Sequence, residues 1–158
     1  MTGKLFFFAI IFVMICSCNE PFKNNAKNLT SSSKISLDSF NAIPTEINDF
    51  SCYYSQNKDK FKRDEYLFAC NSDSLAFISV NRKMIKLKLA STTRLPGNFT
   101  DNDHTDIYSN DKYKVTVVTK YDASIAEDNW WNKGTIIVES KNDGKVTYDF
   151  IGTCGYRK

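Results

Sequence analysis

Period-two alternation is the strongest constraint this chain places on its own fold. Over residues 84–89, Ile85, Leu87 and Leu89 fall on one face while Lys86 and Lys88 fall on the other. Over residues 113–121, Tyr113, Val115, Val117, Thr119 and Tyr121 alternate with Lys114, Thr116, Val118 and Lys120. Alternation of this kind, with charge on the outward positions, marks half-buried strands of an antiparallel sheet. Shorter apolar runs at residues 50–55, 66–70 and 75–80 read as further strands. Asn81-Arg82-Lys83 is a short hairpin connection, and Asp143-Gly144 between the β-rich runs 134–140 and 145–152 is a stronger one. Residues 92–111 read as irregular around the turn Leu95-Pro96-Gly97-Asn98, and residues 122–128 as a loop or a single helical turn. No amphipathic helix longer than two turns stands out. The expected fold class is all-β: one small antiparallel β-barrel or sandwich of about seven strands.

The first eighteen residues determine where such a domain is delivered. Lys4 precedes an unbroken apolar run over residues 5–15, followed by Cys16-Ser17-Cys18 and the polar Asn19-Glu20-Pro21. A charged start, a short apolar core and a small residue at the cut form the layout of a secretory signal peptide. The run is too short for a membrane span, which needs roughly 20 residues. Ile15-Cys16-Ser17-Cys18 resembles a bacterial lipobox, which implies cleavage after Ser17 and a diacylglyceryl group on Cys18. A plain signal peptide is the alternative. Acyl chains contribute about 0.8 kcal/mol per buried methylene, enough for several chains to hold a domain on a membrane. The expected organisation is a signal peptide over 1–17, a lipidated Cys18 with a flexible Asn-, Lys- and Ser-rich tether over 18–34, and a β domain over 35–158. The expected location is the bacterial cell envelope, anchored in the outer membrane on its periplasmic or surface side.

Composition narrows the partners. At 158 residues the chain has room for one domain once the leader is removed. A net charge of +3, spread along the chain, argues against nucleic acid. Cys16 leaves with the leader and lipid takes Cys18, so Cys52, Cys70 and Cys154 remain. Export favours disulfides. Three thiols allow one bridge and leave one cysteine over. Cys52 and Cys154 lie near the two ends of the domain and are the expected pair, with Cys70 buried and free. A bridge closing a loop of about 100 residues contributes roughly 4–5 kcal/mol in the chain-entropy view.

Few residues announce chemistry. Asp101, Asp103, Asp106 and His104 sit together in one polar segment, where hard oxygen ligands could hold an ion. The spacing departs from a calcium loop, and the solvated-loop reading is preferred. Neither Gly-x-Ser-x-Gly nor a Gly-rich phosphate loop occurs, and His104 lacks an obvious nucleophile partner. Catalytic, cofactor and metal residues are therefore expected to be absent. Trp130-Trp131-Asn132-Lys133 is the other conspicuous cluster. Adjacent strand residues point to opposite faces, so one Trp caps the core and the other faces out. Trp130, Trp131, Lys133 and Arg94 form the candidate binding surface, since Trp and Arg are favoured at hot spots.

Two family resemblances carry further expectations. The segments 40–47, 51–55, 76–81 and 152–155 resemble recurring segments of uncharacterised small bacterial lipoproteins with a β-rich domain. That resemblance implies an early Cys-Ser-Cys and a late Cys-Gly-Cys. Here Phe50 and Tyr156 stand where the outer cysteines would be, which leaves the Cys52–Cys154 bridge. Phe50-Ser51-Cys52 and Trp130-Trp131-Asn132-Lys133-Gly134 are also similar to segments of membrane-bound inhibitors of c-type lysozyme. This second resemblance implies a barrel with an end-linking disulfide. Where those inhibitors carry Ser-Ala-Ser-Gly-Ala-Arg-Tyr, this chain has Ser91-Thr92-Thr93-Arg94-Leu95. The expected function is a non-catalytic binding module for an envelope protein or glycan. Lysozyme inhibition is one alternative, and a structural envelope lipoprotein or a hydrolase is another.

Overall fold

The computed structural model describes residues 34–94 and 103–156. The leader, Cys18, most of the tether, Asp101 and the turn at 95–98 lie outside the described residues. The strands are β1 (Leu37–Asp38), β2 (Phe50–Ser55), β3 (Phe68–Asn71), β4 (Leu75–Val80), β5 (Lys83–Arg94), β6 (His104–Ser109), β7 (Tyr113–Ala126), β8 (Asn129–Ser140) and β9 (Gly144–Tyr156). One short helix, α1 (Lys58–Lys62), follows β2. Asn57 caps it by accepting from Lys60 N at 2.9 Å, a contact worth about 1 kcal/mol in such positions.

Neighbouring strands pair antiparallel in the order β4-β3-β2-β9-β8-β7-β6-β5, and β5 pairs back onto β4. The eight strands therefore close into a barrel, which leaves no open sheet edge. β1 is the ninth strand and continues the line of β3 along β4, with Leu37 opposite Val80. The closure links the beginning and end of the domain, because β2 and β9 pair from Phe50↔Tyr156 to Ser55↔Ile151.

Inward residues follow the alternation. Ile78, Leu87, Val115, Val117, Ile136 and Val138 are buried in the lumen. Lys86, Lys88, Lys114 and Lys120 remain exposed outside. Tyr54 stacks between Phe150, with ring centroids 4.1 Å apart, and Phe68 at 5.7 Å. A smaller apolar cluster built on Phe40, Ile47, Tyr66, Ala69 and Phe77 covers the outer wall of β2–β4. The β4–β5 connection is the two-residue loop Asn81-Arg82, with φ of 49° and 62°. Two left-handed residues in succession are what a twisted hairpin with a two-residue turn requires.

Two local expectations need correction. Residues 122–126 are neither loop nor helix: β7 continues to Ala126 and pairs with β8 as far as Ala126↔Asn129. The hairpin persists because bulges between Tyr121 and Ala123, and between Ser124 and Ala126, absorb the break in alternation. Residues 92–94 and 104–109 are also not irregular, since Thr92↔Asp106, Thr93↔Thr105 and Arg94↔His104 pair across β5 and β6. Cross-strand pairing holds these polar residues in strands despite their weak local signal.

Candidate functional site at the barrel mouth

β2 and β8 begin, and β3 and β9 end, at the same rim of the barrel, where β5 and β6 also meet. Inward positions of these strands enclose a cavity of about 250 Å³. Phe50, Leu89 and Trp130 supply its apolar wall, and Phe50 and Trp130 are 5.6 Å apart at their ring centroids. His104, Asp106 and Tyr108 enter from β6 at every second residue, as the pleat requires. The Cys52–Cys154 disulfide and the Cys70 thiol complete the lining.

Asp106 is the electrostatic centre of the mouth. Its Oδ1 accepts from Thr92 Oγ1 at 2.8 Å, and its Oδ2 accepts from the Tyr108 hydroxyl at 3.3 Å. His104 Nε2 stands 3.4 Å from the same Oδ2. Burial works against the ionised carboxyl, but the hydrogen bonds from His104, Thr92 and Tyr108 outweigh it. Asp106 is therefore held below the usual carboxylate range. Tyr108 also interacts with the Cys70 thiol, and burial together with the nearby anions pushes its phenol well above the usual value. Burial pushes the Cys70 thiol up to about 12. At neutral pH the site thus holds one carboxylate against protonated Cys70 and Tyr108. An ionised carboxylate beside an apolar wall suits binding a donor or cation.

The expected binding surface divides between the two faces of the wall. Trp130 faces the lumen, whereas Trp131 lies outside against Phe61 of α1 at 5.1 Å, with Lys58 5.4 Å above its ring. Lys133 is outside as well, paired to Asp122 at 2.6 Å. Arg94 is exposed at the end of β5, opposite His104. The polar segment divides too: Asp103 accepts from Tyr121 N at 2.7 Å, while His104 and Asp106 line the mouth. Among the described residues, no group of three or more His, Cys, Asp or Glu side chains could hold a metal ion. Tyr108, Phe50 and Leu89 were not legible as site residues. Their only signal is the inward parity of their strands, which core residues share.

Two other hollows offer less. One of about 490 Å³ lies at the far end of β6, where Lys112 pairs with Asp143 at 3.2 Å and Lys114 with Glu139 at 3.8 Å. The second, of about 320 Å³, is a groove on the outer wall beside α1. There Tyr66 donates to Asp64 at 2.5 Å and contacts Phe61 ring to edge.

By fold and site the chain is a small, closed, disulfide-bridged antiparallel β-barrel with a polar pocket in its mouth. No family model, curated protein or solved structure matches it.

Proposed function

We propose that this protein is a lipid-anchored envelope lipoprotein whose β domain acts as a non-catalytic binding module. Its ligand enters the barrel mouth. One observation carries the reading: an aromatic wall of Trp130 and Phe50 converges with a hydrogen-bonded, ionised Asp106 in a single cavity. Pockets of this kind combine apolar burial with a few orienting polar groups. The fitting ligand is a small molecule, or a projecting group of an envelope partner, with a flat apolar body and a donor or cationic end. The body stacks on Trp130, and the charged end approaches Asp106, where low dielectric strengthens the attraction.

The test uses benzylamine and its neutral counterpart benzyl alcohol as probes, titrated into the mature chain carrying Trp131→Phe. Trp130 fluorescence is the readout. Saturable quenching by the amine, weaker for the alcohol and lost in Asp106→Asn, supports the reading. Equal response to both probes, or none, removes it.

The exposed end of β5 favours a second reading. Ser91, Thr92, Thr93 and Arg94 are all exposed along this strand end beside the mouth. A basic, hydroxyl-bearing strand end can occupy a cleft that works with two carboxylates, as the c-type lysozyme cleft does. Full lysozyme turnover at micromolar concentrations of this protein removes the inhibitor reading.

A further inference from the structure

The described cysteines lie in one row across the sheet. β2 runs between β3 and β9, and Cys52 faces Cys70 on one flank and Cys154 on the other. The two flanks differ in geometry. Cys52 and Cys154 are 4.1 Å apart at Cα, the close spacing of a non-hydrogen-bonded antiparallel pair. The backbone N–H and C=O of Cys52 therefore point toward β3. The Ser72 N to Phe50 O hydrogen bond of 3.1 Å belongs to that same ladder. Cys52 and Cys70 are accordingly a hydrogen-bonded pair, for which Cα atoms stand about 5.5 Å apart. That spacing falls within the roughly 4.4–6.8 Å that disulfides span.

We propose that these three sulfurs form an exchange centre in which Cys52 trades its partner from Cys154 to Cys70. The Cys70 thiolate attacks Cys52 Sγ, the Cys52–Cys154 bond breaks, and Cys154 departs as a thiolate that takes up the proton Cys70 released. One disulfide and one thiol stand on each side of the step, so neither oxidant nor reductant is consumed. Displacement at sulfur runs in line, and the strand order puts the attacking and leaving cysteines on opposite flanks of Cys52.

The leaving side is prepared. Asn132 Nδ2 donates to Cys154 Sγ at 3.1 Å, and the Tyr54 hydroxyl lies 3.3 Å from the same atom. Such donors stabilise a thiolate. The attacking side is restrained, because burial keeps the Cys70 thiol protonated to about 12. The other titratable groups facing the row are Tyr54 from β2 and His104, Asp106 and Tyr108 from β6. The Asp106 charge adds to the restraint on Cys70. β4, β5 and β8 bring only uncharged side chains to the row.

The pH dependence has a definite sign. Attack needs the Cys70 thiolate, and burial keeps that thiol protonated to about pH 12. Rising pH therefore speeds the exchange, by up to about tenfold per pH unit below that value. Exchange moves the clip from the β2–β9 seam to the β2–β3 hairpin and leaves a free thiol in the mouth. This inference stands apart from the ligand reading and does not need it.

The test uses the full chain with Cys16→Ser and Cys18→Ser, incubated without oxygen at about pH 7 and about pH 10, on either side of an ordinary thiol. Samples are quenched with N-ethylmaleimide in acidic denaturant and mapped without reduction. Near-UV circular dichroism follows the fold during incubation. The expected result is label on Cys70 after neutral incubation. After alkaline incubation of the folded chain, label on Cys154 and a Cys52–Cys70 peptide should rise by about tenfold or more. Label on Cys70 alone at both values overturns the proposal. So does a Cys70–Cys154 peptide, or exchange seen only after the near-UV signal is lost.

Discussion

Asp106 shows how one residue takes its character from its surroundings. Its carboxylate would titrate near 3.9 in an unfolded chain. In the barrel mouth, hydrogen bonds from His104, Thr92 and Tyr108 outweigh burial and hold it lower. A depressed folded value contributes stability that is fully present above the unfolded value. It is lost as pH falls through the folded one. Asp106→Asn should therefore flatten the acid side of the stability profile. The gap between denaturation midpoints at about pH 5 and about pH 3, which bracket the ordinary carboxylate value, should be narrower in the variant than in the parent. Equal slopes in both would show that Asp106 gains nothing from its partners. The polar segment around Asp106 was visible in the sequence, but its inward orientation was not. Parity along β6 decides that Asp106 turns into the lumen with His104 and Tyr108.

Among the elements, the β2–β9 seam carries the most information. Cys52↔Cys154 and Phe50↔Tyr156 are pairs of the same type, two residues apart on each strand. The rings of Phe50 and Tyr156 meet edge to face with centroids 5.4 Å apart. In an antiparallel ladder, pair types repeat every second residue, so positions 50 and 156 share the close spacing of the existing bridge. Phe50→Cys with Tyr156→Cys should therefore form a second disulfide under oxidising conditions, seen as a loss of two thiols and a joined peptide. The added stability should be small, because the long loop is already closed and only its remainder is constrained. Two free thiols in a folded variant would show that the register is wrong. The seam pairs residues 102 apart in sequence. No local signal reports such a pairing, and the odd cysteine count left the choice of partner to the ends of the domain. The extension of β7 through residues 122–126 was illegible for a related reason. Its bulges break the alternation, and only the continuous ladder to β8 reveals a strand.

For the whole molecule, the proposed function assigns location to the leader and recognition to the barrel. No helix among the described residues is long and apolar enough to cross a membrane, a statement that does not bear on Cys18. If lipid on Cys18 anchors the chain, cells fed a palmitate analogue should label the parent. Cys18→Ala should lose the label and move from the membrane to the soluble fraction. A labelled, membrane-bound Cys18→Ala protein would remove the anchor from the proposed function. The sequence by itself determined the class of fold, the inward identity of Leu87, Val115 and Val117, and the hairpin turns at Asn81-Arg82 and Asp143-Gly144. Period and turn chemistry are local properties that neighbouring residues carry. Only the tertiary structure decided that the sheet closes as a barrel and not as a sandwich. It also sent Trp130 inward and Trp131 outward, and set Cys70, Cys52 and Cys154 in one row. Each of these depends on the register between strands distant in the chain. That register is chosen by which faces can be buried together, a property of the assembled wall.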